Sequence, residues 1–382
     1  MTKIAEIIRF YSLDEIMDFI EKGEEYPRHH IWCYDKLQEG GLHAEGIDYD
    51  KNSRWNKIGA MLKILNLQQQ IEYLKRSNEF DVVFAPFVGD VFLLALLKTL
   101  GLYNKPVVAV ALEAFTPYKT NYFKRLRQKI LRSVYVNGVD SLLFINEITY
   151  ERCNNYKKLK ATHQFSNTWG VDLDFFDSFL NRQTVPPAQN YIYATGGTGR
   201  DYNTLFQAFN DIDYKLRITT KGDLPKHVLN LKSQNIEIDD TVTPGLYSVG
   251  LIREEYYNAL AVAIPLKKSI TDFPIGLTVL FEALAMAKPV ISSHNNAYPF
   301  DLEKEKVGFN IDFEDVRGWK EGVNYLIDNP DQAREMGERG KYLCEKKYNY
   351  KLYSDDVCKL IREYSFTSDK LTTQNAEVKA MH

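Results

Sequence analysis

The chain lacks most of the features that would take it out of the class of ordinary globular α/β proteins. Its 382 residues hold four cysteines, Cys33, Cys153, Cys344 and Cys358. None of their spacings suits a metal site, and so few in so long a chain do not make a disulfide scaffold, which points to a reducing compartment. No apolar run reaches the roughly 18 residues of a membrane-spanning helix. The N-terminal stretch MTKIAEIIRFYSLDE is too short in its apolar part, and acidic too soon, for a secretory leader. A cytoplasmic location is the expectation. Charge of one sign is also lacking: the net charge is −3, so any pull toward an anionic partner must come from a local patch. Hydrophobic residues make up 45% of the chain, enough for two cores, and the length suggests two or three domains at about 150 residues each.

What is present alternates. Apolar runs at Phe80–Phe87, Pro106–Leu112 and Ser141–Asn146 read as buried strands, separated by helical patterns, and a second series begins at Tyr191. Ile4–Tyr11 is predicted as a strand and Leu13–Lys22 as a short helix. From Trp55 to Lys75 one helix is predicted, with Ile58, Met61, Leu62, Leu65 and Ile71 on a buried face. This alternation predicts parallel α/β sheets. The polar stretch 181–190, with Pro186-Pro187, reads as a linker. Adjacent His29 and His30 would point to opposite faces of a strand, so a shared metal is not expected there.

Two segments carry chemistry. After the strand Tyr191–Thr195 comes Gly196-Gly197-Thr198-Gly199-Arg200 and then a helix; a glycine-rich turn at a helix start invites a phosphate, with Arg200 as counter-charge. A dinucleotide fingerprint would need glycine at position 202, where Tyr202 stands, so NAD binding is disfavoured. The second segment is Asp272–Ser293, DFPIGLTVLFEALAMAKPVISS. Gly276 opens a helix whose unpaired N–H groups favour an anion, and Glu282 is an acid inside an otherwise apolar helix. Lys221 follows another strand end, where ligands of open α/β sheets bind. Separately, 119–136 (KTNYFKRLRQKILRSVYV) places Phe123, Leu126, Ile130 and Val134 on one helical face among six cations, with no acid between Ala114 and Val139. Such a helix suits an anionic membrane surface or a phosphate-bearing acceptor, through Lys119, Lys124, Arg125 and Lys129.

The run Gly276, Glu282-Ala283-Leu284-Ala285 and Pro289-Val290-Ile291 resembles the donor-site motif of retaining glycosyltransferases of family 4, which have the GT-B fold. Pro274 stands where that family has a first glutamate, and Asp272 is the nearest acid. The resemblance is carried further by Gln164–Phe176 and by Val249–Arg253, where the family lays backbone against the nucleotide base. It implies two Rossmann-like domains facing across a cleft: 1–183 on the acceptor side, 184–350 binding the donor, and a helix 351–366 crossing back to the first domain. The polar composition of 367–382 itself predicts a disordered tail. The resemblance further implies a donor site of Gly197, Thr198, Arg200, Lys221, Leu251, Ile275, Gly276, Leu277, Thr278 and Glu282. Arg200, Lys221, Glu113 and Asp272 would be the catalytic set, with Glu113 where relatives carry a histidine. No metal and no cofactor is implied, the UDP- or GDP-linked sugar being substrate and a glycan or lipid-linked molecule the acceptor. The alternatives are a silent nucleotide-sugar-binding subunit and a nucleotide-sugar epimerase or hydrolase on the same fold.

Overall fold

A computed structural model describes residues 2–8, 13–50, 52–112, 122–156, 159–166, 169–220, 224–239, 248–270 and 273–364. The chain forms two units: residues 1–22, 28–167 and 351 onward make the first, and Gly23–Pro27 with Thr168–Tyr350 the second.

The first unit holds strands β1 (Lys3–Glu6), β2 (His43–Gly46), β3 (Val82–Ala85), β4 (Val107–Ala111), β5 (Ser141–Phe144) and β6 (Gln164–Phe165). They form one parallel sheet in the order β2-β1-β3-β4-β5-β6. Its central strands are buried throughout, as VVFA, VVAVA and SLLF require of a sheet covered on both faces. The helix at 350–364 joins this unit from Lys351 on: Tyr353 packs edge-on against Trp32, and Arg362 donates to the Gly40 carbonyl at 2.6 Å.

The second unit holds β7 (Tyr191–Thr195), β8 (Lys215–Thr219), β9 (Ile236–Asp239), β10 (Ala261–Ile264), β11 (Val290–Ser293) and β12 (Gly308–Ile311). Their order is β12-β11-β10-β7-β8-β9, again all parallel. This is the doubly wound Rossmann order, with the switch between β7 and β10. The helix Leu173–Leu180, capped by Asp172, packs here: Arg253 lies 4.2 Å from the Phe175 ring and 4.8 Å from that of Phe179. Arg253 and Arg182 both hold Glu25, at 2.7 and 2.6 Å, which ties the early segment 23–27 to this unit. Burial works against the Glu25 charge, but hydrogen bonds from Arg182, Arg253 and Ser178 outweigh it and bring its pKa down to about 2.

Two expectations are corrected. The helix predicted over Trp55–Lys75 is two, Arg54–Leu62 and Leu67–Lys75. Lys63 and Asn66 both take left-handed backbone, and Ile64 N–H donates to Gly59 O at 2.8 Å, which closes the first helix. The break removes Met61, Leu62 and Leu65 from the predicted buried face and leaves them exposed. Residues His29 and His30 lie in a 3-10 segment, Arg28–Ile31, with ring centroids 4.5 Å apart, rather than on opposite faces of a strand.

At the carboxyl end of β1, Glu6 is wholly buried, and among the described residues neither carboxylate oxygen has a hydrogen-bond partner. Burial raises its pKa well above the usual carboxylate value, and Asp35 adds to that. With a raised folded-state pKa, the stability this group contributes is complete below about pH 4.5 and is lost as pH climbs through the folded-state value. Glu6→Gln has no such loss. Its melting temperature relative to the parent is therefore expected to rise between pH 5 and pH 8. A difference that stays constant over that range in thermal denaturation would contradict a protonated Glu6.

Candidate functional site

The second unit brings its unusual polar residues to one edge of its sheet, the carboxyl edge at the β7/β10 switch. Strand β7 ends at Thr195 and turns through Gly196 and Gly199, whose φ angles of 95° and 66° suit glycine. Gly196 N–H donates to Thr219 O at the end of β8. On the other side the turn is stitched to the end of β10: Arg200 bridges Leu266, Gly199 O accepts from Lys267 N–H at 2.9 Å, and Pro265 O accepts from Asp201 N–H at 2.9 Å. Asp201 then caps the helix Tyr202–Phe209. The turn is fixed on both flanks, while Gly197 and Thr198 at its crest remain exposed.

Arg200 is buried. Its guanidinium folds back on its own turn, Nε donating to Thr195 O at 3.0 Å and Nη1 to Thr198 O at 3.3 Å. Lys267 and Lys268 stand exposed just beyond the end of β10. Sequence reasoning passed over this pair; the signal available was their position directly after the buried run AVAIPL, at a strand end beside the switch.

Across Leu266 from the turn lies Gly276, the residue before the helix Leu277–Ala285. Its φ is 88°, and a Cβ there would meet Tyr298 Oη at 2.6 Å and Ile264 Cγ2 at 2.7 Å, with Leu266 at 3.6 Å. Leu277 N–H donates to Pro274 O at 3.2 Å, and no side chain among the described residues caps this helix start, so the N–H groups that follow, of Thr278 and Val279, are the ones a ligand can meet. The approach loop is held by Asn295, whose amide donates to Phe273 O at 3.0 Å and Ile275 O at 3.1 Å. Ser293 at the end of β11 accepts from Leu266 N–H at 2.9 Å. Backbone donors, a glycine without a Cβ and two exposed lysines thus share one edge, an arrangement suited to a polyanion.

Glu282 lies further along the same helix, buried at 7% exposure, and its Oε2 accepts from Tyr256 Oη at 2.8 Å. Burial, then the Glu282 carboxylate, push the Tyr256 hydroxyl pKa well up, so Tyr256 is a fixed donor. Leu277 is buried, Ile275 and Thr278 are half-buried, and Leu251 is exposed on the helix Ser248–Asn258. The expected residues Lys221, Asp272, Glu113 and Lys119, and the side chain of Lys124, lie outside the described residues. Arg125 and Lys129 are exposed on the first unit's helix Tyr122–Gly138.

Residues 193–342 match the family of glycosyl transferases group 1. No curated protein sequence matches the chain. Among solved structures it is similar to sucrose-phosphate synthase from Thermosynechococcus elongatus (TM-score 0.67, 14% identity, over 95% of this chain and 99% of that one). It is also similar to HepE of Anabaena in complex with UDP-glucose (TM-score 0.63, 11% identity, 95% and 100%). A glycosyltransferase from Rickettsia africae ESF-5 gives 0.59 at 13% identity, over 95% and 98%. The fold is therefore GT-B, with two Rossmann-like α/β units.

The packing at Gly276 makes a prediction. Gly276→Ala places a side chain on left-handed backbone and against two atoms, together worth roughly 2–4 kcal/mol of destabilisation. Adding Tyr298→Phe removes the hydroxyl that the new Cβ meets and should restore part of the loss in a thermal melt. No recovery in the double variant would mean that backbone strain and the Ile264 contact set the effect.

Proposed function

We propose, from the glycosyl transferases group 1 match over residues 193–342, that the chain transfers a sugar from a nucleotide donor with retention of configuration. The observation that carries this reading is the convergence of the glycine-rich turn, the Lys267-Lys268 pair and the uncapped helix start at Gly276 on one sheet edge. A nucleoside diphosphate leaves with two phosphates' worth of charge, and donors held in advance at that place lower the barrier most. The backbone of Gly197 and Thr198, the helix start at Gly276–Thr278, and Lys267 would receive the phosphates. Arg200 would act through the turn it braces as much as by its own charge, since its Nε and Nη1 already serve that turn. Lys221, which follows Thr220 in the chain, and Asp272, which precedes Phe273, would complete the set, and Glu113 would meet the sugar or acceptor. None of these roles calls for a metal.

Glu282 would take the ribose hydroxyls, oriented by Tyr256, with Leu251 and Ile275 toward the base. A UDP-linked donor is favoured by the UDP-glucose complex of the structurally similar Anabaena protein. The acceptor would be a glycan or lipid-linked molecule in polysaccharide or glycolipid synthesis in the cytoplasm, met at the membrane by the first unit's basic helix. Pro274, in place of the family's first glutamate, favours one other reading, a subunit that binds nucleotide sugar without turnover.

Incubation with labelled UDP- and GDP-sugars, a donor screen by thermal shift and NMR of the product anomer test this directly. Transfer with retention supports the proposal. Free sugar alone would mark a hydrolase, and binding without turnover the silent subunit. Replacement of Glu282 by Ala would strand the buried Tyr256 hydroxyl, which costs about 1–3 kcal/mol of stability. Glu282→Gln keeps an acceptor for Tyr256 and is the sharper test. It should melt near the parent yet bind nucleotide roughly tenfold more weakly by calorimetry, because the hydrogen bonds lose their charge assistance. Lys267→Ala should lower turnover more than nucleotide affinity, as expected for a group that meets charge developing in the transition state.

A further inference from the structure

The helix break at Lys63 has a partner elsewhere in the first unit. The helix Tyr122–Gly138 buries Val134 but leaves the rest of its apolar face in the open: Phe123 is 79% exposed, Leu126 43% and Ile130 55%. Beside them stands Leu62, 57% exposed, and its chain neighbour Met61 is 75% exposed, both released by the break. Between these two sets runs a groove of about 310 Å³, lined by Leu62, Ile64, Phe92, Leu126, Ile130 and Leu131, with Phe123 at its side. Lys63 and Arg127 also line it and supply its charges. The volume lies at the low end of small-molecule sites, enough for one slender apolar chain.

Its surroundings select the occupant. The three helices that flank it read RWNKIGAML, FLLALLKT and YFKRLRQKILRSVYVNG, and none contains an aspartate or glutamate. Arg125, Arg127, Lys129 and Lys63 are exposed around an apolar centre. A second copy of this face would bring like charges together, whereas an anionic amphiphile satisfies both halves of the surface. We propose that the groove takes one hydrocarbon chain of an anionic phospholipid, with the surrounding cations on its headgroup and Met61, Leu62 and Phe123 seated in the bilayer surface. The inference rests on the membrane-side reading of this helix given above and adds a defined lipid site to it.

The test uses the full chain. Phe123→Trp, a substitution at an exposed position, should give blue-shifted emission with phosphatidylglycerol/phosphatidylcholine vesicles and none with phosphatidylcholine alone. Chain-brominated phosphatidylglycerol should quench it. Each cation at an anionic surface is worth about fivefold in partitioning. The triple change Arg125→Gln, Arg127→Gln, Lys129→Gln is therefore expected to lower vesicle binding on the order of 100-fold. Calorimetry with dihexanoyl-phosphatidylglycerol below its micelle concentration should show binding that glycerophosphoglycerol, which has the headgroup without chains, does not. Leu126→Trp, which fills the groove, should abolish that binding while an unchanged circular dichroism spectrum and thermal melt report an intact first unit. Equal binding of the chain-free headgroup, or lipid binding unchanged in Leu126→Trp, would overturn the groove and leave a purely electrostatic membrane surface. Self-association without vesicle binding would overturn both and make the face a contact between copies.

Discussion

The second unit depends on the way its glycine-rich turn is clasped to the end of β10. Neighbouring strands at a switch point run their connections in opposite directions, which opens a crevice with unpaired backbone on each lip. Here the lips are pinned by the Arg200–Leu266 bridge and by the Gly199–Lys267 and Asp201–Pro265 hydrogen bonds. Gly276 and Ser293 then meet Leu266, and Asn295 holds the loop that leads into Gly276. Donors held this way need not reorganise when charge arrives, which is the condition under which electrostatic stabilisation is most effective.

Much of this was legible in the chain, for a physical reason. Strands buried on both faces must be continuously apolar, so VVFA, VVAVA and YIYAT announce themselves, and the breaks at Gly196, Gly276 and Pro289 bound the elements between them. Edge strands carry no such signal: HAEG in β2 and IEID in β9 are short and half-polar, and the sequence offers no reason to prefer a strand there. The break at Lys63 was hidden because left-handed backbone at Lys63 and Asn66 is a tertiary choice, made where Gly59 meets Ile64 and Leu67. At the site, glycines and Glu282 could be found by pattern. That Arg200 folds onto its own turn is a side-chain choice no pattern specifies, and that Tyr256 holds Glu282 and Lys267 stands at the switch depends on residues distant in sequence.

The two halves of the chain divide their charge differently although the total is close to neutral. At the second unit's sheet edge the exposed cations are few, the Lys267-Lys268 pair after β10, at a place where a few atoms of a small anion would meet them. In the first, they are spread along helices around an apolar centre, a distribution that matches an extended surface rather than a discrete ion. The same residue types therefore point to two classes of ligand, one compact and one laminar.

The interleaving of the two units along the chain has a consequence for synthesis. A ribosome delivers the chain from its N-terminus, and domains close as their last contacts emerge. The first unit needs the helix at 350–364, with Tyr353 against Trp32 and Arg362 on Gly40, so all six of its strands and most of its core are out long before its final wall. Meanwhile Glu25, which Arg182 and Arg253 hold, must wait for residues more than 150 positions downstream. The second unit, nearly continuous from 168 to 350, can close first, and the unit that begins the chain is the last to be finished.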